Sequence, residues 1–163
     1  MAKVTEFFEP AVKWLAITFF TIMVIAALLQ IFTRYVINHS IPWTDELARY
    51  TFIWSTMLGA ALVHRKRGHI MIDLLVSRLK GKSQILIKVI VDIFSLVILL
   101  LLTVQGINLL PIGAMQTTPA LGVKMSYVML SVPVSAAYMC LISIEHLIND
   151  IKNFITLSGE VAQ

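Results

Sequence analysis

The chain has 163 residues, of which 58% are hydrophobic and 13% charged, with one cysteine and a formal net charge of +4. Its mean hydropathy is +0.86 and its pI about 9.4. A soluble domain carries about 25% charged residues, and a chain this size cannot bury so much apolar surface within itself, so the surplus must face lipid. The single cysteine, Cys140, excludes an internal disulfide and a multi-cysteine metal site. The basic residues collect in one loop, where membrane orientation explains them more simply than nucleic acid does.

Residues 1–13 place Val4, Phe7, Phe8 and Ala11 on one helical face and Lys3, Glu6 and Lys13 on the other. Two readings fit this stretch: a helix lying on the membrane surface or a frayed terminus. Residues 14–37 form the first span, about 24 residues and enough to cross with some tilt. This run is too long for a signal-peptide core and has no small-residue cleavage site, so it is read as a retained span. Trp14 and Tyr35 mark its ends, as interfacial aromatics do, and Gln30, Thr33 and Arg34 make its last turns polar.

A tight connection over 38–43 is punctuated by Pro42. Thr44 is placed to cap the next helix, with Asp45 and Glu46 in its first turn, where acids favour the positive helix end. The second span runs over 47–63, about 17 residues and near the minimum. Gly59, Ala60 and Ala61 give it a small face that permits close helix contact.

Residues 64–83 carry Arg65, Lys66, Arg67, Arg78, Lys80 and Lys82. Ile72, Leu75, Val76 and Leu79 follow helical spacing opposite Asp73, Ser77 and Lys80, which predicts a short amphipathic surface helix. The third span covers 85–110, with Lys88 and Asp92 as an i, i+4 pair. A loop over 111–124 contains Gly113, Pro119 and Gly122. The fourth span covers 125–148 and should kink at Pro133, and a polar tail follows. The expected fold is an all-α integral membrane protein: a single domain over 1–163, four transmembrane helices, and a short amphipathic surface helix between the second and third. The Lys/Arg-rich loop and both termini belong in the cytoplasm, because the other connections are nearly free of cations.

The sharpest chemical feature is the set Arg34, Asp45, Glu46 and Arg49. Ionised groups within a span are costly and need partners. Arg34 and Glu46 reach the same depth on either side of the connection, and Asp45 and Glu46 lie four and three residues before Arg49. Three readings stand: a self-satisfied cluster pinning the hairpin, an arginine that bonds a partner subunit, or a substrate or ion site. His64 and His146 fall at span ends, and a pair of this kind could hold a haem between helices. Their neighbours Arg65 and Asn149 put them at the interface instead. His69 follows Gly68 at a turn, where local hydrogen bonding is the default. Catalytic spacings, metal-ligand clusters, phosphate-cradling loops and dinucleotide fingerprints are not found. No catalytic residue, cofactor or metal is therefore expected, and the chain is not read as an enzyme. Asp92 and Glu145 lie near span ends, whereas a proton-coupled carrier wants an acid deep within one. These residues describe an accessory subunit.

The same residues resemble the small membrane subunit, the Q type, of the tripartite ATP-independent periplasmic (TRAP) transporters. The family pattern is met by Arg34, Trp43, Asp45, Glu46, Leu47, Arg49, Phe52, Gly59 and Ala60. A loop motif follows in Gly68, His69, Ile70, Ile72 and Asp73. Thr118, Pro119, Ala120, Leu121, Tyr127 and Pro133 fit its later pattern, and Val123-Lys124-Met125 departs from it where a proline is frequent. The resemblance implies a bacterial inner-membrane complex in which a periplasmic binding protein delivers a carboxylate, of the sialic acid or C4-dicarboxylate class. A large membrane subunit on a separate chain then imports it by a sodium-driven elevator motion. The small subunit would brace the static scaffold of that large subunit. It implies that Arg34, Asp45, Glu46 and Arg49 serve the hairpin or a subunit interface, and that Trp43, Phe52, Gly59 and Ala60 pack at an interface. Two other readings of the chain are a small autonomous exporter working as a dimer and a haem-bearing membrane anchor.

Overall fold

The computed structural model describes residues 2–39, 41–66 and 82–160, with side chains over 5–39, 41–66 and 87–152. Among these residues the chain is helical, with one isolated antiparallel bridge between Thr117 and Lys124. Helix α1 spans Ala2–Tyr35 and α2 spans Pro42–Arg65. Helix α3 spans Lys82–Ala114, α4 is the single turn Ser126–Met129, and α5 spans Ser131–Glu160. The expected surface helix after the second span, with Gly68, His69 and Asp73, lies outside the described residues.

Helix α1 is continuous through Pro10, so residues 2–13 extend the first span and are neither a separate surface helix nor frayed. Pro10 removes one backbone bond, the one its N–H would make to Glu6 C=O, and the helix continues past it. At 34 residues α1 is about 51 Å long, and its first turns reach well past a hydrocarbon core of about 30 Å. Just past the helix end the His39 N–H donates back to Thr33 C=O at 3.0 Å, and Asn38 takes a positive φ of 55°, which asparagine tolerates better than most residues.

Thr44 is not the cap of α2. The cap position is Ile41, with Pro42 opening the helix where a missing N–H costs nothing. Thr44 sits inside the first turn, fully buried, and its hydroxyl donates to Ile41 C=O at 2.7 Å.

One further boundary differs from expectation, and the kink expected at Pro133 is seen as a break in the last span. Helix α3 runs through Pro111 to Ala114, so the loop begins four residues later than the proline suggests. The last span is interrupted at Leu130, which keeps right-handed φ and ψ of −61° and −22°. Pro133 explains the break: it offers no N–H to Met129 C=O, and its ring crowds that carbonyl.

Helix α1 packs on α2, α3 packs on α5, and the contact of α2 with α5 joins the two hairpins. Small residues are among the most deeply buried on these helices: Ala61 on α2 and Ser131, Ser135, Ala136 and Ser143 on α5 are all 1% exposed or less. Such residues let helix backbones approach closely without relying on hydrophobic exclusion of water. Three helical stretches are long and apolar enough to cross a membrane, Thr5–Tyr35, Ile87–Ala114 and Ser126–Lys152. In the first two, the most apolar stretch is only 11% and 6% buried, against 44% in the third. Phe20, Ile25, Leu28, Phe94, Leu101 and Val104 are all exposed. The surplus read from composition is therefore spread along α1 and α3, with α5 as the core helix.

Candidate functional site

An open cleft of about 710 Å³ lies where α1 hands over to α2, lined by Arg34, Trp43, Asp45, Glu46, Arg49, Tyr50 and Pro119, among others. Helix α1 places Arg34 in its last turn, where a cation suits the negative end of the helix dipole. Helix α2 places Asp45 in its first turn, where an acid suits the positive end.

Asp45 ties the hairpin together. One carboxylate oxygen takes a hydrogen bond from Gln30 Nε2 at 3.1 Å, and the other faces Arg49 at 2.6 Å, four residues on. That ion pair is open to its surroundings, with 65% of the Arg49 and 49% of the Asp45 side chain exposed. Arg49 is thus not hidden by depth within this chain, contrary to the expectation from its position.

Glu46 does a different job. It is 8% exposed, and its two oxygens accept the backbone N–H groups of Ala120 and Leu121, each at 3.0 Å. The expected partner was Arg34 across the connection, whereas the observed partners lie 74 and 75 residues away in sequence. The loop that presents these amides is itself closed. The Thr118 N–H donates to Val123 C=O at 2.9 Å, the Met125 N–H to Gln116 C=O at 2.9 Å, and the Val123 N–H to Thr118 Oγ1 at 3.0 Å. Gly122, at φ 66°, makes the turn that a side chain would strain. A carboxylate receiving two amide donors is a strong, charge-assisted clamp, and it fastens the start of α2 to the loop before α4. Arg34 is exposed on the cleft rim, and among the described residues it has no ion pair.

Trp43 lines the cleft, whereas Phe52 lies away from it, on an apolar groove between α1 and α2. Gly59 has open space where a Cβ would stand, so among the described residues nothing packs against it there, whereas Ala61, two residues on, is fully buried. The close-approach glycines are elsewhere. A Cβ on Gly106 would lie 3.0 Å from the Pro133 ring, and one on Gly113 would lie 2.7 Å from Met129 Sδ and 3.0 Å from Ser126 N. Their spacing to Pro133 and Met129 leaves no local sequence signal.

The opposite end of the bundle carries a second polar cluster that the sequence reading left unassembled. Glu9 pairs with Arg65 at 2.7 Å. The Thr5 hydroxyl donates to Glu145, and the Tyr138 hydroxyl donates to Thr5 C=O at 3.2 Å. His64 Nε2 lies 2.7 Å from Ser143 Oγ, and its ring is 6.0 Å from that of His146. His64 is thus buried in the α2–α5 seam, not at an open interface. Trp54, also missed, stacks on Phe19 at 5.4 Å and donates to Tyr127 C=O at 3.1 Å. Among the described residues, no group of three His, Cys, Asp or Glu is placed to hold a metal ion.

A family model described as "Tripartite ATP-independent periplasmic transporters, DctQ component" matches residues 23–153. A protein of Haemophilus influenzae named as a putative TRAP transporter small permease is 33% identical over 97 residues, which is 60% of this chain and 60% of that one. The sialic acid TRAP transporter small permease SiaQ of Vibrio cholerae is 26% identical over 147 residues, covering 87% of this chain and 85% of that one. The isethionate TRAP transporter permease DctMQ of Oleidesulfovibrio alaskensis is 29% identical over 112 residues, 68% of this chain but 18% of that protein.

Proposed function

The chain belongs to the DctQ component family of the tripartite ATP-independent periplasmic transporters, and on that premise we propose that it is the accessory subunit that braces a larger permease. It is a multi-pass membrane protein and a TRAP transporter small permease, and this family is one of transporters, not of enzymes. In our reading α2 crosses the bilayer with the three more apolar helices. It is 24 residues long, about 36 Å, and is packed on both α1 and α5. The basic loop and both termini then lie in the cytoplasm of a bacterium, with Gly68, His69 and Asp73 on that side, and the cleft opens to the periplasm.

The observation that carries this reading is the rim of the cleft. Glu46 is turned inward onto the loop amides, while Arg34 and Arg49 are exposed on the same cleft. Arg34 has no ion pair among the described residues, and Arg49, although paired with Asp45, keeps most of its side chain exposed. Their remaining donors suit carbonyls or carboxylates of a partner, and Arg supplies five donors for that purpose. The partner of first choice is the large permease subunit, which the DctMQ relative supports, since the matched region there is a minor part of a much longer chain. Trp43, Gly59 and Ala60 belong to the faces that this partner would cover, whereas Phe52 lies on the groove away from the cleft. The large subunit carries sodium and substrate, and a periplasmic binding protein delivers the substrate and docks transiently. The substrate is a carboxylate, with sialic acid first, as the name of the Vibrio relative supports, and C4-dicarboxylates second. The exporter-dimer and haem-anchor readings have no support from the family.

The test is uptake of labelled sialic acid and of a C4-dicarboxylate by vesicles holding the large permease with and without this chain, plus binding protein and a sodium gradient. Uptake should require this chain, and calorimetry of the isolated chain with sodium or either acid should be silent. Full uptake without it, or saturable binding to it alone, would overturn the accessory role.

A further inference from the structure

A groove of about 390 Å³ runs along the α1–α2 hairpin, away from the cleft. Ala16, Ile17, Phe20, Phe52 and Leu62 line it, and Lys13 stands at the end nearest the Glu9–Arg65 pair. Ser55 and Thr56 also line it; the Ser55 hydroxyl is spent on Phe52 C=O at 2.9 Å, and the rest of the walls is apolar. From Phe52 to Leu62 the groove extends about 15 Å along α2.

The cation at its head is unusual. Glu9 is four residues before Lys13, the spacing and order at which a glutamate best neutralises a lysine on a helix. Here Glu9 has turned to Arg65 instead, and among the described residues no acid pairs with Lys13. Trp14, next in sequence, is 68% exposed, as an indole at the headgroup level would be. Lys13 lies one helical turn inward of the Glu9–Arg65 level, a depth from which its ammonium reaches the phosphate layer while its stem covers the groove.

We propose that this groove is a binding site for one anionic phospholipid, with an acyl chain between α1 and α2 and the phosphate on Lys13. Charge complementarity commits the site to this occupant. An apolar helix of another subunit could fill the walls but, without an acid at this level, would leave the Lys13 ammonium unanswered.

The test is native mass spectrometry of the full chain, extracted in mild detergent with any subunit that accompanies it, and supplied with equal phosphatidylglycerol and phosphatidylcholine. Wild type should retain phosphatidylglycerol in preference. Lys13→Gln should reduce that retention about fivefold. Thr56→Phe, which narrows the groove without changing charge, should reduce retention of both lipids. Lys66→Gln, a cation at the same end but outside the groove, should change nothing. Equal retention of the two lipids by wild type would overturn the proposal, as would a loss in Lys66→Gln matching that in Lys13→Gln, or no effect of Thr56→Phe. A photoreactive residue at position 56 that crosslinks to protein in place of lipid would also overturn it and assign the groove to a subunit.

Discussion

The two ends of the bundle have similar inventories of charge and use them in opposite ways. At one end Glu9 is joined to Arg65, Thr5 to Glu145 and His64 to Ser143, so polar groups from α1, α2 and α5 answer one another. At the other end Glu46 is consumed by backbone amides, Asp45 holds Gln30 and Arg49, and Arg34 faces outward over an open cleft. The first arrangement holds helices together. The second fixes a shape and leaves cations on its rim. Burial separates the two, since a charge shut away from water must be answered within the chain, whereas an exposed one can wait for a partner.

Several substitutions would break or sharpen this contrast. The largest effect on the fold should come from Glu46→Ala, which leaves the Ala120 and Leu121 amides without their acceptor. Hydrogen bonds to a charged group contribute about 1.5–3 kcal/mol each, so a loss of about 3 kcal/mol is expected in thermal unfolding of the detergent-solubilised chain. Glu46→Gln keeps an acceptor oxygen and should lose about half as much. An unchanged midpoint in both would mean the clamp adds nothing to the open end.

Next in size is Gly106→Leu, which drives a side chain into Pro133. Overpacking of this kind costs about 1–3 kcal/mol. Gly59→Leu, facing open space, should leave unfolding of the isolated chain unchanged and lower only the yield of complex with the large permease. Equal unfolding midpoints for the two variants would contradict the packing described here.

At the closed end, Glu9→Ala strands Arg65, whose side chain is 15% exposed. Breaking a fully buried pair costs about 3–5 kcal/mol, and because Glu9 is itself 36% exposed, about 1–2 kcal/mol is expected here, read in the same unfolding assay. No loss would mean the closed end is held by the α2–α5 seam alone.

What the sequence made legible follows sequence distance. Helix α2 could be placed to within a few residues, and the Asp45–Arg49 contact could be anticipated, because both rest on periodicity and on i, i+4 spacing. The partners of Glu46 could not, since they are backbone amides 74 and 75 residues away, presented by a loop whose shape depends on Gly122 and Thr118. The same holds for Thr5 and Glu145, 140 residues apart. Pro111 misled because a proline reads as an end of helix, yet it removes a single bond, and Gly113 lets the continued turn pack against α4. Gly59 carried the expectation of close contact and Gly106 did not, because a glycine's neighbours across a helix pair leave no mark in its own segment.

The central claim is that the open end is shaped by its acids and offers its arginines outward. Co-purification of the large permease with Arg34→Glu, alongside thermal unfolding of the same variant alone, tests it most directly. An exposed charge contributes little to the fold, so unfolding should match wild type to within about 0.5 kcal/mol while recovery of the large subunit falls several-fold. Wild-type recovery of the complex with Arg34→Glu, or a loss of stability as large as that of Glu46→Ala, would contradict the claim.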